Sequence, residues 1–166
     1  PTTSPAPTVT PAPTASPLVA DDNSIRDAVA LWLSNRAAAM STYGHISTWD
    51  TQGVTDMSCL FAAASISLCD YYYNRAAASF NEDIGAWDTS GVVDMLCMFY
   101  DASSFDQPIR NWNVGAVTNM RSMFNGASSF NQAIGDWSVG VVTSMYMMFR
   151  KASSFDQPLG AWRVDS

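Results

Sequence analysis

Large apolar side chains recur along this chain at an interval of 25 residues, in a series that begins at Trp49 and runs to the end of the sequence. The first interval, Trp49 to Trp87, is 38 residues, so 13 extra residues lie between Phe61 and Phe80. A period of this length indicates a repeat array, in which each unit buries its apolar face only against its neighbours. The periodic positions are Phe80, Phe105, Phe130 and Phe155 for phenylalanine, and Trp87, Trp112, Trp137 and Trp162 for tryptophan.

Each repeat contains two apolar patterns. The first, I-x-x-W-x-V/T, as in Ile109 to Val114, has the spacing of the short strand in leucine-rich repeats. After a turn comes V-x-x-M-x-x-M-F-x-x-A, as in Val117 to Ala127, whose spacings of three and four predict a short helix. We therefore predict a right-handed, leucine-rich-repeat-like α/β solenoid. Its 25-residue rungs would each have a short parallel strand and a short helix, with Trp49, Trp87, Trp112 and Trp137 buried in one column.

The segment before the repeats predicts a cap. Apolar residues from Ile25 to Leu33 share one face of a helix that we place over residues 24–41, and Gly44 ends the segment. A repeat array needs such a cap on its first unit. The predicted organisation is an extended arm over residues 1–20, a helical cap over 21–44, and the solenoid over 45–166 with an insertion at about 67–79.

The N-terminal arm is rich in proline and hydroxyl residues. Residues 1–17 contain six prolines, five threonines and two serines, and no charged residue. This composition favours an extended polyproline II conformation and is typical of O-glycosylated stalks, with a flexible linker as the alternative. The candidate acceptors are Thr2, Thr3, Ser4, Thr8, Thr10, Thr14 and Ser16.

Composition excludes several classes of function. The chain is 48% hydrophobic and 14% charged, so it can build a core, and its net charge of −7 disfavours nucleic acid and anionic membranes as partners. We find no stretch long enough for a membrane span, no metal-ligand pattern and no cofactor motif. The only histidine is His45, and we argue no catalytic constellation around it. Asp50 and Asp88 could form a carboxylate pair, but a solvated face is favoured because the equivalent later positions are not acidic. We expect a protein that is not an enzyme.

Three cysteines allow at most one internal disulfide. Cys69 lies in the insertion, whereas Cys59 and Cys97 occupy equivalent positions of successive rungs. We expect Cys69 to pair with either of them, because the surroundings we expect are oxidising.

The repeat resembles a known family. Trp-Asp-Thr-x-Gly-Val-x-Asp-Met at Trp49 to Met57 and Trp87 to Met95, followed by Met-Phe and Ala-Ser-Ser-Phe-Asp/Asn-Gln, is similar to the BspA-like surface-protein repeat, which occurs in mycoplasma surface lipoproteins. The resemblance covers roughly residues 25–166. It implies a leucine-rich-repeat-like solenoid at a cell surface or in an extracellular matrix, with adhesion or assembly as its role and no catalytic residues.

Two functions remain open at this stage. The first is an extracellular structural protein that assembles head to tail into a filament or surface layer, because the sequence shows no capping helix after the last strand motif. The second is a monomeric adhesion or recognition module that binds glycans or surface proteins through the solenoid face. For assembly, the candidate contacts are Tyr71, Tyr72, Tyr73, Leu159, Trp162 and Val164.

Overall fold

A computed structural model describes residues 16–163 of the 166-residue chain. Its elements in order are β1 (Val19–Asp21), α1 (Ser24–Ser34), α2 (Arg36–Tyr43), a 3-10 turn (Ile46–Thr48), β2 (Asp50–Gly53) and a second 3-10 turn (Arg75–Ser79). Of the predicted site residues, those that lie outside the described residues are Thr2, Thr3, Ser4, Thr8, Thr10, Thr14 and Val164.

The predicted cap helix is divided into two helices. α1 buries Ile25, Ala28, Val29 and Trp32 against the first repeat. The break falls at Asn35, whose extended backbone ends α1 and whose side chain accepts a hydrogen bond from the amide of Ala38 to begin α2. Asparagine is a favoured N-cap residue, so a continuous helix over 24–41 was the wrong prediction for this segment.

The end of the predicted arm belongs to the folded part of the molecule. β1 pairs in parallel with β2, with Val19 opposite Asp50 and Asp21 opposite Gly53. Ala20 is buried between them. The boundary at residue 20 was therefore placed too late, because residues 18–21 cover the first tryptophan segment.

The repeats lie side by side and are joined by backbone hydrogen bonds. Parallel bridges connect equivalent residues of successive rungs: Asp56 with Asp94, Asp94 with Asn119, and Asn119 with Ser144. Among the described residues, only the first tryptophan segment forms a strand, because β1 supplies a partner there. As at Trp49 and Ile46, the tryptophan amide in each later rung closes a turn within its own rung, for example from Trp112 to Ile109.

The segments that the sequence predicted as short helices are chains of tight turns. Alternate amides close turns within the rung, such as Met98 to Met95, while those between them donate to the next rung, such as Phe99 to Met123. A helix would use every amide within its own rung. The turns also require left-handed backbone at equivalent residues, namely Cys59, Cys97, Ser122 and Met147.

Two columns of phenylalanine rings run through the stack. In the first, the ring centroids of Phe99 and Phe124 are 5.6 Å apart, with the planes at 2°. In the second, Phe105 and Phe130 are separated by 6.0 Å. The columns touch within each rung, where Phe99 and Phe105 stack at 3.9 Å. Each rung thus completes the aromatic core of the next, as expected for units that cannot bury their apolar faces alone.

The tryptophans lie beside these columns. Trp49, Trp87, Trp112 and Trp137 are all buried, and Trp49 stacks on Trp87 at 6.2 Å. Their Nε1–H groups bind back along the stack; that of Trp112, for example, donates to the carbonyl oxygen of Ile84 at 3.1 Å. These bonds satisfy the polar atom of a buried indole while fixing the register between rungs.

Candidate binding site

The insertion after the first rung forms a loop that is anchored at both ends. A disulfide joins Cys59 in the rung to Cys69 in the loop, with the Cα atoms 5.7 Å apart. Farther on, the amide of Asn74 donates to the carbonyl oxygen of Ala62 at 2.8 Å. The geometry therefore selects one of the two pairings that the sequence left open, and it leaves Cys97 as a free, buried thiol.

Three consecutive tyrosines occupy the outer part of this loop. The exposed fractions are 95% for Tyr71, 54% for Tyr72 and 37% for Tyr73. The amides of Tyr72 and Tyr73 both donate to the carbonyl oxygen of Cys69, so the turn that carries them begins at the disulfide. Because the loop is held in place, these large side chains are exposed in a defined arrangement.

Arg26 of α1 connects the cap, the first rung and the loop. Its guanidinium donates to the carbonyl oxygen of Ser58 at 2.7 Å and forms an ion pair with Asp56 at 3.0 Å. The same group lies 4.5 Å from the ring centroid of Tyr72. A cation over an aromatic face is attracted by the negative charge of the ring face, so Arg26 holds Tyr72 against α1.

A cavity of about 300 Å³ lies between α1 and the loop. We call it the tyrosine groove. Apart from the charged Arg26 and Asp27 and the amide of Asn74, its walls are apolar or aromatic: Val29, Ala30, Leu33, Leu60, Tyr71, Tyr72 and Tyr73. Concave sites with mostly apolar walls and a few fixed polar groups are typical binding sites.

The free thiol lies in a separate apolar cluster beneath the loop. Cys59, Ala62, Cys69 and Cys97 pack together there. Burial raises the pKa of the Cys97 thiol to about 11, so the thiol stays protonated at neutral pH. A protonated thiol is a poor nucleophile, which protects the neighbouring disulfide from exchange.

The remaining predicted assembly contacts and acceptors are not part of this groove. Leu159 and Trp162 are partly exposed in the last described rung, where they pack on the core. Ser16 is exposed next to the fold. Asp50 and Asp88 are exposed, and each accepts a hydrogen bond from a backbone amide two residues farther on, which favours the solvated face over a carboxylate pair.

The structure brings a serine and a glutamate to His45, which the sequence did not predict. Ser47 Oγ lies 2.8 Å from His45 Nδ1, and Glu82 Oε2 lies 3.8 Å from Nε2. The amide of Ser47 donates to the same Nδ1, which is how a side chain caps a 3-10 turn. Glu82 is paired with Arg36 at 2.6 Å, and this links α2 to the second rung. These contacts connect the cap to the first and second rungs.

The described part of the chain offers no metal or membrane site. Within residues 16–163, no group of three or more histidine, cysteine or acidic side chains could hold a metal ion. No helix in this range has the length and apolar character needed to cross a bilayer.

Sequence reasoning found the three tyrosines but missed Arg26. The tyrosines stand out as a run of one residue type within the insertion. Arg26 was predicted to lie on the polar side of the cap helix, and its partners Asp56 and Ser58 are 30 and 32 residues away in sequence. No local pattern reports a contact at that distance.

The fold and the site define a repeat protein with a disulfide-anchored loop of exposed tyrosines at its capped end. The chain belongs to the family described as Mycoplasma protein of unknown function, DUF285, which it matches over residues 33–71 and 66–166. No curated protein and no solved structure matches the chain.

Proposed function

We propose that this chain is an extracellular structural protein, a BspA-like surface solenoid without enzymatic activity, whose copies associate head to tail into a filament or surface layer. The observation that carries this proposal is the disulfide-anchored tyrosine loop. Tyr71, with 95% of its surface exposed, packs very little against the described residues 16–163. Tyrosine is enriched in protein interfaces because its rigid ring combines apolar area with a polar group.

The charge distribution supports a head-to-tail orientation. Residues 16–100 contain ten acidic and three basic side chains, whereas residues 101–163 contain four acidic and five basic ones. The capped half therefore carries a net charge of −7 and the other half +1. Two capped halves repel each other, while a capped half and an opposite half do not. A contact between unlike surfaces can continue from copy to copy into a filament.

The compartment follows from the disulfide and the family. Disulfides persist in oxidising surroundings, and Cys59 and Cys69 are bonded here. BspA-like repeats are found in surface proteins, so we place the chain outside the cell or at its surface.

Sedimentation velocity of the full chain over a range of concentrations tests this proposal. We expect larger species as concentration rises, and weaker association for Arg150→Glu, which adds negative charge to the half that carries few acidic residues. Arg75→Glu is the matched control, because it changes the net charge equally but widens the charge difference between the halves instead of narrowing it. Both side chains are exposed. A chain that remains a monomer at all concentrations contradicts the proposal, and equal effects of the two variants contradict the head-to-tail orientation.

A second function is favoured by one feature of the same site. The tyrosine groove, at about 300 Å³, reaches the lower end of the volumes that small-ligand sites occupy. A monomeric adhesion module would use this groove for a glycan or a surface protein. Measuring self-association of the isolated chain separates the two functions, because a monomeric adhesion module does not need to self-associate.

A further inference from the structure

We propose that the tyrosine groove binds the proline-rich segment 1–17 of a second copy of this chain in an extended, polyproline II conformation. This inference rests on the proposed self-association and names the two surfaces that meet. One surface is the groove between α1 and the tyrosine loop, and the other is a sequence that the chain itself carries.

The walls of the groove match the chemistry of a proline-rich segment. Proline-rich peptides dock in shallow grooves lined by aromatic side chains, where the proline rings pack against flat aromatic faces. Here Tyr71, Tyr72 and Tyr73 form one wall, and Ala30 and Leu33 of α1 contribute accessible apolar surface to the other. A polyproline II segment is already extended before it binds, so it loses less conformational entropy than a flexible peptide.

The groove is organised before any ligand enters. The disulfide from Cys59 to Cys69 and the hydrogen bond from Asn74 to Ala62 hold the loop at both ends. Arg26 holds the Tyr72 ring at 4.5 Å. Binding therefore needs little reordering of the site, and that is a requirement when a short ligand buries little surface.

The polar complement is also present. A polyproline II segment makes no internal hydrogen bonds, so its backbone carbonyl oxygens are free to accept. Tyrosine hydroxyls and the side-chain amide of Asn74 can donate to them. The segment contains no charged side chain, so it can approach a chain of net charge −7 without a charge penalty.

The place where the segment joins the fold allows it to reach another copy. Pro17 lies next to Gly44, and the amide of Leu18 donates to the carbonyl oxygen of Tyr43 at 3.3 Å. These attachment residues share no position with the walls of the groove. The segment therefore starts from a part of the cap that does not line the groove, and at roughly 3.1 Å per residue in polyproline II its 17 residues reach about 50 Å, far enough to cross the rungs of a neighbour in a head-to-tail contact.

Fluorescence anisotropy of a labelled synthetic peptide of residues 1–17 tests the proposal when the peptide is titrated with the full chain. We expect saturable binding, and no binding of a peptide in which all six prolines are replaced by alanine. Tyr71→Ala and Tyr72→Ala should each weaken binding at least tenfold. Tyr71 is the stricter variant, because a side chain that is 95% exposed can be removed without loss of packing.

Tyr146→Ala is the matched control. Tyr146 is also exposed, and it also lies against an arginine, with Arg121 at 5.3 Å from its ring centroid, but it is far along the stack from the groove. We expect the affinity of this variant for the peptide to lie within twofold of that of the unmodified chain. An equal loss for Tyr146→Ala, or equal binding of the proline-free peptide, overturns the assignment of the groove.

The remaining outcomes separate this inference from the proposed function. If the full chain self-associates but does not bind the peptide, the groove assignment fails and the assembly function stands. If the peptide binds only after the prolines of the chain's own arm are replaced by alanine, and this holds at concentrations where the unmodified chain is a monomer, the arm occupies its own groove and the role of a second copy is overturned. The peptide could bind the unmodified chain while that chain stays monomeric at concentrations well above the dissociation constant of the peptide. In that case a second copy does not provide the segment, and both this inference and the assembly function are overturned.

Discussion

Replacing Gly126 by alanine should destabilise the stack at a single backbone position. Gly126 has a φ of +78°, in the left-handed region, and its amide donates to the carbonyl oxygen of Arg150 in the next rung at 2.8 Å. A Cβ at this position would lie 1.9 Å from Asp101 Oδ1 and 3.2 Å from Asp101 Cα. The substitution therefore combines backbone strain with a steric conflict between two rungs.

The two contributions can be sized separately. Left-handed backbone costs a residue with a Cβ about 1–2 kcal/mol relative to glycine. The Asp101 carboxylate can rotate away, but its Cα cannot, and overpacking of this kind costs about 1–3 kcal/mol. We expect a total loss of about 2–5 kcal/mol in the free energy of unfolding. The reciprocal variant Lys151→Gly, at the equivalent position with φ +60°, should gain up to about 1 kcal/mol.

Urea unfolding followed by tryptophan fluorescence measures these changes, since five of the six tryptophans are buried. Gly160→Ala is the control, because its Cβ would meet nothing within 4 Å and its backbone is outside the left-handed region. Asp101→Ala combined with Gly126→Ala removes the carboxylate but keeps the Cα of residue 101, so we expect it to recover only a small part of the loss. The reasoning is refuted if Gly126→Ala shifts the midpoint no more than Gly160→Ala does.

Two further predictions concern the cap and the thiols. Asp22 accepts hydrogen bonds from Thr55 and from the Asp56 amide; burial pushes its pKa up, but these bonds and the charge of Arg26 outweigh it and leave the pKa lowered. Its contribution to stability is therefore present above pH 3.8 and lost as the pH falls through the lowered pKa, so denaturation curves of Asp22→Asn and the unmodified chain should differ by about 1–3 kcal/mol at neutral pH and converge in acid. With its pKa at about 11 and its side chain buried, Cys97 should resist alkylation at pH 8 in the native chain, and mass spectrometry should find one modified cysteine in urea and three after reduction; alkylation of the folded, unreduced chain contradicts this.

The register of the core could be predicted from sequence because it depends on the period alone. A residue that recurs every 25 positions, such as Trp112, must occupy the same place in every rung, and the strength of the aromatic pattern shows that this place is the core. Burial of Trp49, Trp87, Trp112 and Trp137 agrees with that expectation.

The backbone of the methionine segments could not be predicted in the same way. Spacings of three and four place side chains on one face of a helix, but they also fit consecutive turns that use every second amide within the rung. Left-handed positions usually signal themselves through glycine. Here they are occupied by Cys97, Ser122 and Met147, so the sequence carries no such signal, and only Gly126 does.

The place where the sequence departs from its own period is where a partner can be recognised. Along the regular rungs, polar side chains form hydrogen bonds between repeats. Asp106, for example, accepts a hydrogen bond from the amide of Asn131 at 2.9 Å. On such a surface the same polar groups are hydrogen-bonded to the neighbouring rung in each repeat, so few of them are free to bind a ligand. The 13-residue insertion breaks this pattern once, next to the cap, and fills the break with exposed tyrosines on a loop that a disulfide holds in place. Free aromatic surface on a fixed support is what a specific contact requires. In the proposed function, the regular repeats therefore supply the rigid frame, and the rung that carries the insertion supplies the recognition.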